Sequence, residues 1–401
     1  MKKNLLVGLD IGTTKIFALV SKIKKGNGFD ILGAGIVPSR GVTKGVITNI
    51  RDTSQRIKKV IKKAELDSGT RVERVWVSIA GNHIQGRDSQ GFIKVENQGH
   101  LISSREIENV LKEASSIVLP PEREIIHVLP QDYIVDGQNR IKDPVGMIGA
   151  HLQAKVHLVT ASSGPRQNIE ISVEKAGYES EGVVLQSLAS GISTLFPKEE
   201  DLGVALLDIG GGTTDIAIFL EEGMKFTNVL SVGGNHITND IAVGLHTTRE
   251  RAEEIKIKYG AASLDHLNKD EPIQVEGVAG RGIYTVKRSR LVRIIQLRVE
   301  EIFELVDREL KKSGYKSLVT SGVVLTGGSS LLPGIKEKAE EKLGLPARIG
   351  YPRIKVPKQL HSPLYATGVG LIIYGLKRRE ELLSKEKLGI RIKEWIRNLL
   401  V

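Results

Sequence analysis

The stretch LDIGGGTTDIA, Leu207 to Ala217, sets three consecutive glycines between two apolar flanks with an aspartate on each side of them. Each glycine in a strand costs backbone entropy and gives up a packing side chain, so a merely structural strand is better served by Val or Ile. Close access to the backbone is what the glycines supply. The flanks VALLD and TTDIAIFL read as strands, which makes the glycines a hairpin turn. Its N–H groups can point together into a concavity that holds an anion, and phosphate is the natural guest.

A second copy lies near the N-terminus. GLDIGTTKIFALV, Gly8 to Val20, is again an apolar strand, D-I-G, two threonines and another apolar strand. An ordinary hairpin with a glycine turn accounts for either copy alone, but poorly for matching patterns in both. The repeat predicts two similar halves, each opening with a phosphate-type hairpin, able to grip one ligand from opposite sides. A third glycine site, VVLTGGSSLLPGI from Val323 to Ile335, is a strand running into paired glycines, with Ser329 and Ser330 placed to cap the next helix. Without side chains, such a turn leaves room for a flat ring or ribose. Gly233 and Gly234 mark another strand-to-helix junction where backbone can approach phosphate or sugar, with a helix expected from about Ile237.

The composition suits a large soluble protein. The chain has 401 residues, 40% of them hydrophobic, which is enough for more than one core. With no cysteine, disulfides and thiolate metal sites are excluded, and the nine histidines are scattered without metal-ligand spacing, each read as structural or surface. MKKNLLVGLDIG has too short an apolar run for a signal peptide, and no stretch approaches the run of about 18 apolar residues that spans a membrane. The expected location is therefore the cytoplasm.

The formal charge of +11 points to an acidic partner, nucleic acid or anionic membrane. Its distribution favours membrane. Lys377 to Val401 carries eight basic and four acidic residues, whereas no zinc finger, aromatic RNA platform or helix-turn-helix pattern occurs, so no nucleic-acid partner is expected. In KLGIRIKEWIRNLLV, a spacing of about 100° per residue gathers Leu388, Ile392, Trp395, Ile396, Leu399 and Leu400 on one side of a helix. Arg391, Lys393 and Arg397 lie around the remainder, although Ile390 falls on the polar side. The competing fate is docking on the protein's own core. The charged stretch before the helix, its terminal position and Trp395 favour the membrane interface.

Along the chain, strand and helix signals alternate as expected of an α/β protein. A helix is expected from about Asp52 to Leu66, then a strand ending at Gly81. Residues 83–160 change texture: a helix opened by a capping box, Ser103 with Glu106, precedes the strand-like EIIHVLPQDYIVDG and HLQAKVHLVTAS. This predicts a small α+β insert. Pro197 to Asp201 reads as a polar join. RAEEIKIKYG sets Glu253 and Lys256 three apart on one helix face, a solvated pair on spacing alone. In RGIYTVKRSRLVRIIQLRVEEIFELV a basic strand feeds a long helix whose apolar face, Leu291, Ile294, Ile295, Ile302 and Leu305, is expected to pack on its own domain.

DIGTTK, DIGGGTTD and LTGGSS, in this order, resemble the phosphate-one, phosphate-two and adenosine motifs of the actin-like ATPase superfamily. KGVITNI, VSIAGNHI, HVLPQDYIVDG, DPVGMIGAHL and VVLTGGSSLLPGI resemble the FtsA family of bacterial cell-division proteins over essentially the whole chain. Departures concentrate in residues 260–285 and before the tail. The resemblance implies an actin-like two-domain ATPase fold of duplicated ribonuclease H-like halves, with an inserted α+β subdomain and a C-terminal amphipathic helix. Its divisions would be 1–82 with 161–196, the insert 83–160, 197–244 with 317–376, an outer subdomain 245–316, a linker 377–387 and a membrane-targeting helix 388–401.

The resemblance further implies that Gly12, Thr13, Thr14 and Lys15 hold one side of the ATP phosphates, with Gly210, Gly211, Gly212, Thr213 and Thr214 on the other. Asp10 and Asp208 would hold Mg²⁺ through water. Gly233, Gly234 and Asn235 would also meet the nucleotide, Glu253 and Lys256 the ribose, and Gly327, Gly328 and Ser329 the nucleoside. Gln186 is the nearest candidate for orienting an attacking water, and hydrolysis is expected to be weak. The implied partners are a second copy of the chain in a filament, anionic membrane lipid, later division proteins and the C-terminal peptide of the tubulin-like FtsZ. That peptide would be met near Lys287, Arg288 and Arg290. The protein would be peripheral, on the cytoplasmic face of the membrane at the division site. A small-molecule kinase of the superfamily would need an acidic base in a polar substrate pocket, and no such cluster is evident. A pilus-assembly ATPase of FtsA-like fold is the other alternative.

Overall fold

The computed structural model describes residues 4–24, 28–96, 98–267, 269–278, 280 and 282–381. Val204–Ile209 runs antiparallel to Thr214–Leu220 with Asp208 opposite Asp215, so the three glycines do turn a hairpin. Every residue of Val204–Ile209 is buried, as befits a strand covered on both faces. Gly223–Leu230 adds antiparallel on one side; Val323–Thr326 and Ala347–Ile349 add in parallel on the other.

The first half repeats this plan. Leu5–Ile11, Lys15–Ile23 and Phe29–Pro38 are antiparallel neighbours, and Arg74–Ile79 and Glu179–Leu185 extend the sheet in parallel. Both five-stranded sheets thus have one order, with the glycine hairpin at the same place in each, which makes the two motifs marks of a duplicated unit.

Helix Ile50–Ser68 covers the first sheet. Asn49 caps it by accepting the Asp52 N–H, Gly69 ends it in the left-handed region at φ 61°, and Ile57, Val60, Ile61 and Ala64 form its buried face. It sits close because Gly35 lies beneath, where a Cβ would come 2.3 Å from the Val60 carbonyl oxygen. Helix Gln186–Thr194 and the helix at residues 366–381 cross between the sheets. At that crossing a Cβ on Gly370 would overlap the Ala189 carbonyl oxygen, at 1.8 Å.

The insert is a fully antiparallel sheet ordered Gln85–Lys94, His151–Ser162, Arg123–Val135, Gln138–Ile141, covered by helix Ser104–Ser115. The capping box forms: Glu106 accepts from the Ser103 N–H at 3.0 Å and Ser103 caps the first turn. Its core, around Val110, Tyr133, Leu152 and Val156, is separate from those of the two halves.

Several expectations are corrected. The polar join at Pro197 to Asp201 is built as helix Pro197–Leu202, because Pro at its start and Glu199 bonded to the Phe196 N–H nucleate a turn. The helix expected from Ile237 begins at Gly234, whose N–H is already fixed by the Gly210 carbonyl. Ser329 and Ser330 do not cap the next helix. They lie in a 3₁₀ turn, Gly328–Leu331, and helix Ile335–Leu343 starts after Gly334. The long helix is Arg288–Lys312, with Leu291, Ile295 and Ile302 buried and Ile294 and Leu305 packed against the same core, as expected. Among the described residues no helix is long and apolar enough to cross a membrane. The expected amphipathic helix, with Leu388, Arg391, Ile392, Lys393, Trp395, Ile396, Arg397, Leu399 and Leu400, lies outside the described residues.

Candidate functional site

A cleft of about 340 Å³ opens between the halves, within the size range of small-molecule sites. The two glycine hairpins are its walls. Asp10, Gly12, Thr13, Thr14 and Lys15 line one; Asp208, Gly210 and Gly211 line the other, and Gln186 reaches it from the start of the link helix. Gly234, Asn235, Glu253, Lys256, Gly327, Gly328 and Ser329 also reach its surface.

Four nominated residues do not line it among the described residues. Thr213 turns its hydroxyl to Asp215 at 2.9 Å, and Thr214 donates to the Val232 carbonyl at 2.8 Å. A Cβ on Gly212 would come 2.5 Å from the Thr13 hydroxyl, and one on Gly233 would come 2.6 Å from the Gly210 carbonyl oxygen. These glycines serve close packing of chain on chain. Gly211 has the same duty besides facing the cleft: its Cβ would lie 2.2 Å from the Thr14 methyl of the opposite hairpin. The three glycine sites of the second half are tied together, since the Gly210 carbonyl accepts from the Gly234 N–H at 2.9 Å and the Ser329 hydroxyl at 3.1 Å. Gly327, at φ 83°, approaches so near Asp208 that a Cβ would sit 2.5 Å from its carboxylate oxygen. The N–H groups of Gly234 and Asn235 are spent on hairpin carbonyls, so this junction braces the loop instead of offering those donors to an anion.

Buried carboxyls crowd the wall of the cleft. Asp10 is held by Lys15 at 3.0 Å and by the Ser78 hydroxyl at 2.9 Å. Asp208 accepts from the Ser190 and Thr367 hydroxyls and from the Gln186 side chain. Burial pushes its carboxyl above the usual range, and Asp10 adds to this, while Ser190, Gln186 and Lys15 oppose it. Behind it, Asp215 is pushed up to about 8, first by burial and then by the Asp208 charge, and its Oδ1 has no hydrogen-bond partner. A cation bound beside Asp10 and Asp208 would offset the charge of their ionised forms. Among the described residues no group of three or more acidic, His or Cys side chains is arranged to hold a metal ion.

Glu253 and Lys256 are paired at 2.7 Å, and Lys256 reaches the Thr238 hydroxyl and the Gly234 carbonyl at 2.8 and 3.2 Å. Spacing left them as a solvated pair; the structure puts both in the cleft. Burial lowers the Lys256 ammonium, and Glu253 counters it. Ile237, Ile257, Leu331, Leu332, Pro333 and Leu364 add an apolar slot that suits a flat ring. Ser78, Ser190 and Thr367 were not nominated from sequence; their only signal is a hydroxyl side chain within the mostly apolar stretches VWVSIA, LQSLASG and LYATG.

A second concavity, about 410 Å³, lies where strand Ile283–Lys287 enters the long helix and is lined by Thr285, Val286, Lys287, Ser289, Arg290 and Arg293. Arg288 is not part of it. Its guanidinium holds the Tyr259 carbonyl at 2.8 Å and Glu271 at 3.1 Å.

Comparison with known proteins adds the following. A family model described as cell division protein FtsA matches residues 205–370, and one described as the SHS2 domain inserted in FtsA matches residues 81–160. Cell division protein FtsA of Pseudomonas aeruginosa is 41% identical over 96% of this chain and 92% of its own; that of Bacillus subtilis is 36% identical over 97% and 87%. Solved structures share the actin-like fold at low identity. The PilM–PilN type IV pilus biogenesis complex matches with a TM-score of 0.66 at 19% identity, covering 92% of this chain and 98% of that one. MreB5 of Spiroplasma citri bound to AMPPNP matches with 0.60 at 14%, covering 96% and 99%.

Proposed function

The chain belongs to the FtsA family of cell division proteins, and from that premise we propose that it binds MgATP in the cleft and in that state assembles at the membrane to tether FtsZ. The observation that carries this is the pair of glycine hairpins facing each other across buried Asp10, Asp208 and Lys15. Mg²⁺ supplies charge neutralisation between carboxylates and phosphates. Gly12, Thr13, Thr14 and Lys15 bind phosphate oxygens from one side and Gly210 and Gly211 from the other. Glu253 and Lys256 take the ribose, and Gly327, Gly328 and Ser329 pass the base into the apolar slot. Gln186 is engaged by Asp208, which holds it back from water and favours weak hydrolysis at most. The likeness to the pilus protein, at 19% identity, extends to the fold alone. MreB5, solved with AMPPNP, shares the fold at 14% identity, and that likeness too extends to the fold alone.

Two further parts of the reading are tested separately. The basic concavity beside Lys287 takes an acidic peptide, the FtsZ C-terminal segment. Lys287→Glu with Arg293→Glu should weaken that peptide about tenfold at low salt by fluorescence anisotropy, with the gap narrowing as salt rises. Arg288→Glu should instead lower thermal stability, because it breaks the contacts to Tyr259 and Glu271. Undiminished peptide binding in the double variant moves the site elsewhere.

The terminal segment, expected from its sequence to be an amphipathic helix, anchors the chain to anionic lipid, with each basic residue contributing on the order of 1 kcal/mol. Trp395→Glu should release the protein from anionic liposomes in sedimentation while leaving ATP binding intact. Retention at moderate salt rejects the anchor. Self-association into filaments with the insert as part of the contact is checked by electron microscopy on lipid monolayers with MgATP. Filaments that persist after deletion of residues 83–160 remove the insert's role.

A further inference from the structure

His127 belongs to the insert strand Arg123–Val135, yet its ring makes its hydrogen bond outside the insert. Its Nε2 accepts the backbone N–H of Leu185 at 3.0 Å. Leu185 closes strand Glu179–Leu185 of the first half, and the next residue is Gln186, which opens the link helix and bonds to Asp208 in the cleft. The imidazole is 6% exposed and stands edge-on to Tyr374, 5.9 Å away on the 366–381 helix. Burial pushes the ring down to about 4 and the Arg378 charge adds to this, so near neutral pH Nε2 keeps its lone pair.

The same strand is also tied to the second half. Gln131 donates to the Met224 carbonyl at 3.4 Å, and the Asp132 carboxylate lies 3.9 Å from the buried ammonium of Lys225. A shift of the insert against the second half therefore pulls on a strand that is also tied to the first half, by Ile126 and Leu129 packed on its core and by the His127 bond to the amide before Gln186. A histidine that merely fills a core gap needs no such acceptor at the end of a strand.

We propose that His127 is a positioning residue: it fixes Leu185 and Gln186 relative to the cleft and thereby couples the placement of the insert to the state of the nucleotide site. The coupling rests on the reading of the cleft as an MgATP site; the positioning of Leu185 does not. By reciprocity, nucleotide should stiffen the insert strand, and contacts on the insert should shift nucleotide affinity.

Amide hydrogen exchange on the full chain, with and without MgATP, tests this in wild type, His127→Phe and His127→Gln. Phe keeps an aromatic ring and removes the acceptor, whereas the Gln carbonyl reaches the same N–H. If the Phe variant does not fold, His127→Asn, whose amide stops short of Leu185, replaces it. In wild type, MgATP should slow exchange across residues 123–135. Without the acceptor, the Leu185 amide should exchange about fivefold faster or more, the factor of one lost hydrogen bond, and the nucleotide response of 123–135 should vanish. Gln should restore both, with MgATP affinity by calorimetry staying within about threefold throughout. An unchanged Leu185 amide, a nucleotide response that survives the loss of the acceptor, or failure of Gln to rescue overturns the proposal. If wild type binds no MgATP, the functional reading fails and the Leu185 amide alone judges the positioning role.

Discussion

Gly211→Val should weaken MgATP binding about 100-fold, the equivalent of about 3 kcal/mol of overpacking. Its Cβ would fall 2.2 Å from the Thr14 methyl, closer than real Cβ atoms approach, so the Thr14 side chain or the hairpin that carries it must shift, and the larger valine leaves less room for either. The structure also supplies a control. A Cβ on Gly210 meets nothing nearer than the Thr213 carbonyl oxygen at 3.4 Å, so Gly210→Ala leaves the hairpins together and reports only on the space left for ligand. Trimming the obstacle should help: Thr14→Ser combined with Gly211→Ala should recover part of the affinity lost in Gly211→Ala alone, as contacting residues are non-additive. Independent, additive losses in calorimetry would show that the hairpins do not meet as described.

Asp215→Asn should stabilise the nucleotide-free chain above neutral pH and flatten its pH dependence. The carboxyl sits at about 8 in the folded chain against 3.8 when unfolded, so the folded state binds more protons throughout that window. Stability therefore falls as pH rises from about 4 to about 8, by on the order of a few kcal/mol, and the loss is complete above it. Asn can still accept from Thr213 and brings no charge to face Asp208. Thermal melts of both chains at pH 5 and pH 8 should converge at the lower pH and separate at the higher, with the variant the more stable. MgATP added at pH 8 should narrow the gap, since its cation offsets charge that only the wild type carries. Parallel pH profiles would mean that Asp215 is not a buried acid strained by Asp208. Site residues that trade stability for charge in this way are expected where a ligand completes the electrostatics.

What the sequence makes legible here is chemistry that leaves a local mark. Two glycine turns after apolar strands announced the hairpins, and their repetition announced the halves that share one strand order. The Ser103 and Glu106 box announced the insert helix, and the i, i+3, i+4 spacing in Arg288–Lys312 its buried face. Strand Gln85–Lys94 escaped notice because it is polar and mostly exposed, so its stability comes from its neighbour His151–Ser162 instead of from its own pattern. The meeting of Gly211 with Thr14 joins residues from different halves, which no local spacing encodes. His127 read as one scattered histidine. Its partner is a backbone amide 58 positions away, a type of bond that any residue sequence would permit.

The central claim is that both hairpins grip MgATP around Asp10 and Asp208. Isothermal titration of the full chain with ATP, with Mg²⁺ present and again with it chelated, tests it directly. One nucleotide per chain is expected, with affinity falling when Mg²⁺ is removed and heat lost in Asp208→Ala and Gly211→Val. Absence of binding in the wild type, or undiminished affinity in both variants, would contradict the account.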